Sequence, residues 1–410
     1  MIKKLRICIC HTDLRIYWED RLLTFAAYCR DKGAELSVIE IAGKGSPYSF
    51  ATSGPDAGKW WHCLHPESQM ENLDLAECAS EVGVKLTELD VDVVIAGALA
   101  YPSGAGAVRW GVATGKKVVI MDNARPVDVP RSRLVNWVKR RVYREVDAVF
   151  LPAPSYVEDY GFWSIPVESM HFGLNAVNNN FFMEGARIVR EAEAIHRNRL
   201  HLPKRFLLGV GRQVKKKNWM ILLRAWSVFR LEHAQSDLKL VLLGNGPERA
   251  NLVTYARSVG CNDVHFLDFV PQKEIVSYYA TAEALVLPSQ VGETWGLVVN
   301  EAMSCGLPVI VSRQCGCSST LVRQGENGWL VDSENERSIV DAICAMAETH
   351  RDRLVQMGAN SREIVDHWGL QRFCAGGWSV AQYALNRPSR STNWIDACII
   401  NLWNGRYRPT

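Results

Sequence analysis

The chain has 410 residues, of which 48% are hydrophobic and 22% are charged, and its formal net charge is +3. This length suffices for two domains of ordinary size, each with its own core, and the composition is that of a globular protein in water. The small net charge gives no general reason to expect nucleic acid as a partner. No apolar run is long enough for a signal peptide or a membrane span. We therefore expect a cytoplasmic protein, with peripheral contact to the inner face of the membrane as an alternative.

The first half of the sequence alternates between strand-like and helix-like segments. Short apolar runs predict strands at 5–10, 36–41, 91–96, 117–121, 148–151 and near Met170, with helices between most of them. Such alternation is typical of a parallel sheet. The segment 43–66 is rich in glycine, serine and aromatic residues and is long for a connection in a compact domain. It predicts a loop on the substrate side of the sheet.

A basic amphipathic helix is predicted at 131–144. One face, at helical spacing, is apolar and consists of Leu134, Val135, Val138 and Val142. The opposite face is basic around a tryptophan and consists of Arg133, Trp137, Arg140 and Arg144. Such a basic face suits anionic lipid headgroups or a phosphorylated ligand. A plain solvated face is the commoner alternative.

The second half repeats the strand–helix alternation. Apolar runs predict strands at 206–210, 238–243, 264–266, 284–287 and 309–311, and helices fill most of 333–383. A charged, helix-like stretch at 184–198 precedes the first of these strands, which places a domain boundary near residue 200. The tail after Pro388 carries Trp394 and Trp403 and is too apolar to be a loose end.

The most informative stretch is 290–312, where a helix predicted at 296–305 connects two strand-like runs. Gly306 and Pro308 end this helix, so the loop before it lies at the carboxyl edge of a parallel sheet, where such sheets bind ligands. Glu293 is on the loop, and Glu301 is about a turn and a half into the helix. The helix start favours an anion such as phosphate, through the amides of Trp295, Gly296, Leu297 and Val298. The two carboxylates suit sugar hydroxyls, so a nucleotide sugar would satisfy the whole set.

A second candidate segment, 209–218, follows the first strand of this half. Its glycines, including Gly211, allow a ligand to approach the backbone closely, and Arg212 and Lys217 add two cations at the same sheet edge. The cations could neutralise a diphosphate. A lysine-rich helix start is by itself more often only solvated. After the next strand, the residues Gly-Asn-Gly-Pro at 244–247 form a turn into a helix.

These motifs resemble the signature of the retaining glycosyltransferases of family 4. The resemblance rests on Glu293 and Glu301 with seven residues between them, on Gly-Leu-Pro at 306–308, on the Gly-Arg-x4-Lys pattern ending at Lys217, and on the turn at 244–247. It implies an α/β fold of the GT-B class, with two Rossmann-like domains facing a central cleft. It covers most of 200–350 strongly and the first half only by pattern.

The resemblance also assigns roles in the second domain. It implies that Glu293 lies by the donor sugar and diphosphate, that Glu301 holds the ribose hydroxyls, and that Arg212 and Lys217 grip the diphosphate. The other implied donor-binding residues are Gly211, Gly244, Asn245, Gly246, Val270, Trp295, Gly296, Leu297 and Val298. The backbone at Val270 would face the base. Asp268 stands where a glycine is common in the family, which leaves the identity of the base open.

The implied domain plan has three parts. Residues 1–200 would form an acceptor-binding domain, 201–385 a nucleotide-sugar-binding domain, and 386–410 a segment that crosses back to the first domain. The loop after the first strand has no glycine, and Asp122 stands near where many family members have a histidine beside the reacting sugar. Asp122 could orient or deprotonate the acceptor hydroxyl, or could equally cap the following turn. The other acceptor-side candidates are His11, Asp13, Arg133, Trp137 and Arg140.

The implied activity is retaining transfer of a hexose from a nucleoside-diphosphate sugar to a hydroxyl of a carbohydrate, lipid-linked or small-molecule acceptor. The expected setting is the biosynthesis of a bacterial polysaccharide, glycolipid or related glycoconjugate. We expect neither a cofactor nor a metal, because Arg212, Lys217 and the helix start supply the positive charge. Asp90-Val91-Asp92 spells a metal-binding pattern of another fold, but it leads into a core strand. A nucleotide-sugar 2-epimerase and a non-catalytic nucleotide-sugar-binding protein are the alternatives.

Overall fold

A computed structural model describes residues 4–12, 14, 17–44 and 60–406. Among these residues the strands are β1 (Leu5–His11), β2 (Ala34–Lys44), β3 (Trp61–Gln69), β4 (Val93–Ala96), β5 (Lys117–Met121), β6 (Ala148–Leu151), β7 (Met170–Phe172), β8 (Phe206–Val210), β9 (Lys239–Leu243), β10 (Val264–Leu267), β11 (Ala284–Leu287), β12 (Val309–Ser312) and β13 (Gly328–Val331). The helices are α1 (Trp18–Asp31), α2 (Leu75–Glu88), α3 (Pro102–Thr114), α4 (Arg133–Tyr143), α5 (Val157–Gly161), α6 (Asn179–Glu191), α7 (Glu193–Leu200), α8 (Trp219–Glu232), α9 (Arg249–Ser258), α10 (Gln272–Thr281), α11 (Leu297–Ser304), α12 (Ser318–Leu321), α13 (Glu336–Glu348), α14 (Arg351–Asp366), α15 (Leu370–Asn386) and α16 (Trp394–Leu402).

The chain divides into two compact units. The first unit combines Met1–Ala176 with Leu370–Thr410, and the second is the continuous stretch Val177–Gly369. Each unit is built on one parallel sheet with helices between its strands. None of the helices in the described part of the chain is long and apolar enough to cross a membrane.

The first unit has a sheet of order β3-β2-β1-β4-β5-β6-β7. Neighbouring strands are parallel and in continuous register over most of their length; Ile7, for example, lies beside Leu36 on one side and Val93 on the other. Strands covered by helices on both faces must be apolar on both, which explains the nearly unbroken apolar runs seen in the sequence. Phe373 of α15 packs in this core, with its ring 5.9 Å from that of Phe25 and 5.5 Å from that of Phe150.

The second unit has a sheet of order β10-β9-β8-β11-β12-β13, and all of its strand pairs are parallel. The chain builds outward from β8 in one direction and then returns to place β11 on its other side. This is the strand order of a Rossmann-type sheet, and the place between β8 and β11 is its topological switch point. The candidate site therefore has to be sought where the loops leave these two strands.

The boundary between the units lies at 176–177 and not near residue 200, as the sequence had suggested. The helices α6 and α7 belong to the second unit, because their arginines hold its backbone: Arg190 donates to the carbonyl of Ala280 at 3.1 Å, and Arg197 donates to that of Thr281 at 2.6 Å. The return to the first unit begins at Leu370 and not at 386. The segment after α15 contacts the earlier part of the first unit, where Trp403 donates to the carbonyl of Leu99 at 2.7 Å.

The expectation of a loop over 43–66 is wrong for its two ends. Gly43 and Lys44 end β2, and residues 61–66 lie in β3, at the edge of the sheet. The strand was missed because it is polar and contains Pro66, which an edge strand tolerates and a central strand does not. Residues 45–59, the middle of this segment, lie outside the described part of the chain.

The apolar face predicted for 131–144 is also partly wrong. Leu134 is 69% exposed, while Lys139 and Tyr143 are buried together with Val142. Lys139 can be buried because its ammonium lies 4.3 Å from the centre of the Trp163 ring and 3.8 Å from a carboxylate oxygen of Asp122. The residues that contact α4, and not the apolar pattern alone, therefore determine which face of the helix is buried.

Candidate functional site

The loops after β8 and β11 meet at the switch point of the second unit. Both leave the carboxyl edge of the sheet, because the two strands are parallel neighbours, with Leu208 beside Leu285. The amide of Gln290 in the second loop donates to the carbonyl of Lys216 in the first at 2.9 Å. The two segments singled out in the sequence are thus joined directly.

Lys217 and Glu293 form an ion pair across these loops. The Lys217 ammonium lies 2.5 Å from Oε2 of Glu293, and each side chain is only 12% exposed. The hydroxyl of Ser289, at the end of β11, donates to the same carboxylate oxygen at 3.2 Å. The pair places one positive and one negative group at the edge where an open α/β sheet binds its ligand.

Burial raises the pKa of Glu293, but the opposing effects are larger in sum. The charge and hydrogen bond of Lys217, the charge of Lys216 and the hydrogen bond from Ser289 together hold the pKa of this carboxyl below its ordinary value of 4.5. A carboxylate whose pKa is depressed by folding stabilises the folded state above its unfolded pKa, and this contribution is lost as the pH falls through the folded value.

The lowered pKa of Glu293 predicts how the stability contributed by the ion pair depends on pH. We expect the thermal midpoint of the wild type, relative to that of the doubly neutral variant Lys217→Met/Glu293→Gln, to fall as the pH drops below 4.5. Thermal unfolding of both proteins, followed at intervals from about pH 7 to about pH 3, measures the difference. A difference that stays constant across that range would contradict the assigned pKa depression.

The loops after β8 and β9 are packed backbone against backbone. Gly244 has φ of +138°, and a Cβ added to it would overlap the carbonyl oxygen of Gly211. A Cβ on Gly246 would likewise overlap the carbonyl oxygen of Gln213. Gln213 is buried and donates through its side chain to the carbonyl of Gly244 at 2.9 Å. The predicted glycines are thus needed for the close approach of the two loops.

The helix α11 begins beside the ion pair. Gly296, at φ +100°, precedes it, and the first turn closes with a hydrogen bond of 2.9 Å from the Val299 amide to the Gly296 carbonyl. An α-helix leaves its first amides without intrahelical acceptors, so Leu297 and Val298 lie where a ligand anion would be favoured. The Trp295 side chain is buried and donates to Asn300 at 2.9 Å, so packing and not ligand contact accounts for its indole.

Glu301 is buried on α11 and accepts a hydrogen bond of 2.6 Å from the Tyr279 hydroxyl. This hydrogen bond orients the Glu301 carboxylate. The other predicted donor-binding residues lie on loops at the same edge. Arg212 is half-buried, and its carbonyl accepts from the Trp219 indole at 3.1 Å. Asn245 donates to Asp268 at 3.2 Å, which joins the loop after β9 to the one that contains Val270.

Three residues of this site were missed in the sequence. Ser289 contacts Glu293, Tyr279 contacts Glu301, and the Asn218 amide donates to the carbonyls of Pro288 and Ser333 at 3.2 and 2.8 Å. Ser289 had a signal, since it follows a strand at the ligand-binding edge. Tyr279 had none, because it lies on α10 and only the fold brings it to α11.

In the first unit, Asp122 is placed as a capping residue. It is buried, and one oxygen accepts from the Ala124 amide at 2.9 Å while the other accepts from the Tyr143 hydroxyl at 3.3 Å. Lys139 lies 3.8 Å from that second oxygen, and burial lowers the pKa of its ammonium to about 8 although Asp122 opposes the shift. These contacts favour the turn-capping alternative over a role in proton transfer.

The remaining acceptor-side candidates are not brought into one cluster by the contacts of the first unit. The His11 ring lies 5.3 Å from that of Trp18. Asp13 is outside the described residues. Arg140 donates to the carbonyl of Phe162 at 3.0 Å, whereas Arg133 is exposed and Trp137 is 47% exposed on α4. These residues form surface and packing contacts, and their role toward an acceptor stays a prediction.

Two groups in the described part of the chain have metal-ligating side chains close together. They are His65, Cys78 and Glu81, and Glu232, His233 and Cys344, with ligand atoms within 4.8 Å of one another in each group. Neither group contains a residue of the loops around Lys217 and Glu293. Asp92 accepts from Lys116 at 2.9 Å and from the Arg6 amide at 3.1 Å, as expected for an ordinary strand-start carboxylate.

The same segment that carries this geometry matches a known family. Residues 190–364 fit the family model described as glycosyl transferases group 1. This segment of the chain is therefore similar to glycosyl transferases group 1. The match agrees with the resemblance seen in the sequence. The matched segment reaches from α6 into α14 and contains every donor-side candidate.

Curated relatives are similar to part of the chain. The D-inositol 3-phosphate glycosyltransferase of Thermobispora bispora is 31% identical over 225 residues, covering 52% of this chain and 50% of that protein. An uncharacterized glycosyltransferase of Haemophilus influenzae is 30% identical over 172 residues, covering 42% and 47% respectively. The chain thus matches about half the length of these relatives.

Solved structures extend the likeness to nearly the whole fold. Sucrose-phosphate synthase from Thermosynechococcus elongatus superposes with a TM-score of 0.72 at 18% identity, over 92% of this chain and 98% of that one. Anabaena HepE in complex with UDP gives 0.70 at 15% identity, over 92% and 100%. These likenesses and the two parallel sheets confirm the predicted α/β fold of the GT-B class.

Proposed function

We propose that this protein transfers a hexose from a nucleoside-diphosphate sugar to a hydroxyl acceptor, with retention of the anomeric configuration and without a metal ion. The observation that carries the proposal is the largely buried Lys217–Glu293 pair at the switch point, beside the start of α11. A site for diphosphate needs positive charge and free amides, and a site for a sugar needs hydrogen-bond acceptors. This edge of the sheet brings the positive charge, the amides at the helix start and the hydrogen-bond acceptors together.

In the proposed complex, Lys217 exchanges its contact with Glu293 for a contact with the diphosphate. Arg212 and the first amides of α11 add further positive charge there. Glu293, which remains held by Ser289, is then available to accept hydrogen bonds from the donor sugar. Glu301, oriented by Tyr279, accepts from the ribose hydroxyls. The close approach of Gly244 to Gly211 keeps side chains out of the nucleotide pocket.

The chemical step breaks the bond between the anomeric carbon and the diphosphate oxygen, and the electron pair leaves with the phosphate. The acceptor oxygen bonds to the anomeric carbon from the same face, and its proton passes to the departing phosphate oxygen. Lys217 and Arg212 stabilise the negative charge that develops on the leaving group, which lowers the barrier. We expect Glu293 to position the sugar and not to carry a covalent intermediate.

The solved complexes of a similar protein suggest which nucleotide donor to test first. HepE has been solved with UDP and with UDP-glucose, so uridine donors are the first to test. The family match favours transfer over the epimerase alternative. The acceptor stays within the expected class: a hydroxyl of a carbohydrate, a lipid-linked sugar or a small molecule, as in glycoconjugate biosynthesis.

The test is a thermal-shift panel with UDP, GDP, ADP and their common sugars, each without added metal and again with EDTA. A ligand at about 100 times its dissociation constant stabilises a protein by roughly 2.7 kcal/mol. We expect a selective, EDTA-resistant shift for one base, followed by release of that nucleoside diphosphate when acceptor is present. NMR of the product anomer then tests retention. Binding without turnover under any acceptor, or an isomerised donor sugar, would overturn the proposal.

Replacing Glu301 tests the ribose contact separately. We expect Glu301→Ala to raise the dissociation constant of the preferred nucleoside diphosphate by about 10-fold to 100-fold, because hydrogen bonds to a charged group are lost. The 2′,3′-dideoxy analogue should bind wild type and variant alike, because it lacks the hydroxyls in question. Glu363→Ala, at an exposed position on α14, is the matched control. An equal loss for both nucleotides would assign Glu301 to packing.

A further inference from the structure

The helices α4 and α16 of the first unit expose large apolar side chains side by side. Leu134 is 69% exposed and Trp137 47% on α4, while Trp394 is 76% and Leu402 82% exposed on α16. Single apolar residues on a surface are ordinary. Several on two helices that contact each other are less ordinary, and exposed apolar patches mark sites of protein or membrane interaction.

Contacts between the two helices hold this patch together. Arg141 of α4 donates to the Asp396 carboxylate of α16 at 2.5 Å, and its guanidinium lies 5.1 Å from the centre of the Trp137 ring. Asp396 and Ile400 form the buried face of α16. The exposed side chains of this helix include Trp394, Ile395, Cys398 and Leu402. We call these exposed residues, together with Leu134, Trp137, Arg133 and Arg144 of α4, the α4–α16 surface.

The α4–α16 surface is basic as well as apolar. Arg133 and Arg144 are exposed on or directly after α4, whose sequence contains no acidic residue. The acidic residue of α16, Asp396, is buried against Arg141. Glu145, which follows α4, is also buried and accepts from Thr392 at 2.5 Å. Among the described residues of this surface, exposed arginines thus face no exposed carboxylate.

We propose that the α4–α16 surface binds an anionic lipid membrane in the headgroup region. Tryptophan and leucine side chains enter the boundary between headgroups and acyl chains, where tryptophan is favoured, and the arginines pair with lipid phosphates. A second copy is a poorer occupant, because a two-fold interface would set this basic surface against an identical basic surface. The inference goes beyond sugar transfer, although it would bring a lipid-linked acceptor of the proposed reaction to the protein.

Co-sedimentation with lipid vesicles tests the proposal without any need for enzymatic turnover. The probes are vesicles of phosphatidylcholine alone and of phosphatidylcholine with about one-third phosphatidylglycerol. We expect the full chain to bind the anionic vesicles and to be released by salt, because screening weakens contacts with surface charges. The variant Trp394→Ser/Leu402→Ser should bind about 10-fold or more weakly. Arg133→Gln/Arg144→Gln should lose about fivefold per arginine and most of the preference for anionic lipid.

The matched control is Leu231→Ser/Val355→Ser, which removes two exposed apolar side chains from helices of the second unit. This control should bind vesicles as the wild type does, and all variants should keep the wild-type thermal midpoint and nucleotide affinity. The proposal is overturned if the surface variants bind anionic vesicles like the wild type, or if the wild type does not bind them. It is also overturned if the surface variants instead abolish a concentration-dependent dimer. Failure of sugar transfer with intact vesicle binding would refute only the proposed function.

Discussion

The Lys217→Ala variant is expected to transfer sugar about 100-fold to 1,000-fold more slowly than the wild type at saturating donor, the usual cost of removing one group that stabilises a developing negative charge. Lys217 is the cation nearest to Glu293, and the structure holds it with only 12% of its side chain exposed. Its ammonium therefore acts in a poorly hydrated place, where charge stabilisation is large. The measurement is kcat for release of the nucleoside diphosphate with the donor and acceptor identified first.

Lys215→Ala is the matched control for this variant. Lys215 belongs to the same short turn but is exposed, and its replacement should leave kcat unchanged. Lys217→Ala also leaves the Glu293 carboxylate without its cation, so we expect some loss of thermal stability alongside the loss of rate. If Lys217→Ala loses stability but keeps its kcat, Lys217 serves the fold and not the leaving group.

The Gly244→Ala variant is expected to be strongly destabilising, because it combines a steric overlap with backbone strain. A methyl group there would overlap the Gly211 carbonyl oxygen, and alanine would have to adopt φ near +138°. Together these should lower the free energy of unfolding by roughly 2–4 kcal/mol. They should also weaken nucleotide binding, because the loop after β8 must move.

The control variant Gly260→Ala separates backbone strain from steric overlap. Gly260 has φ of +71°, but a methyl group there would meet no other atom within 4 Å, so only backbone strain is introduced. We expect a smaller fall in the thermal midpoint and unchanged nucleotide affinity. Equal falls for Gly244→Ala and Gly260→Ala would mean that the contact between the two loops is not as tight as described.

Much of the sheet architecture could be predicted from the sequence. The strands Lys117–Met121, Ala148–Leu151, Phe206–Val210 and Ala284–Leu287 have the predicted bounds. Parallel strands with helices on both faces are apolar throughout, so their ends coincide with the ends of apolar runs. The polar edge strand β3 lacks this pattern and was missed for that reason. The strand β13 (Gly328–Val331) was also missed, although it is apolar.

The parts that the sequence could not reveal depend on contacts between distant residues. The charged stretch at 184–198 was placed before the predicted domain boundary, but Arg190 and Arg197 bind carbonyls 84 to 115 residues away and so join α6 and α7 to the second unit. At the site, local motifs identified Lys217, Glu293 and Glu301. Tyr279, which orients Glu301, has no local signature, because a helix face is selected by what packs against it.

The position of α15 has a consequence for how the protein is made. The second unit is inserted into the first as one continuous stretch, and Val177 pairs with Gly369 in a β-bridge, so its two ends are neighbours. A ribosome can therefore release this stretch and let it fold as a unit while the chain is still growing. The core of the first unit cannot be completed before that, because Phe373 in this core follows the whole second unit in the chain. Of the two units, the one that begins first is therefore completed after the one inserted into it.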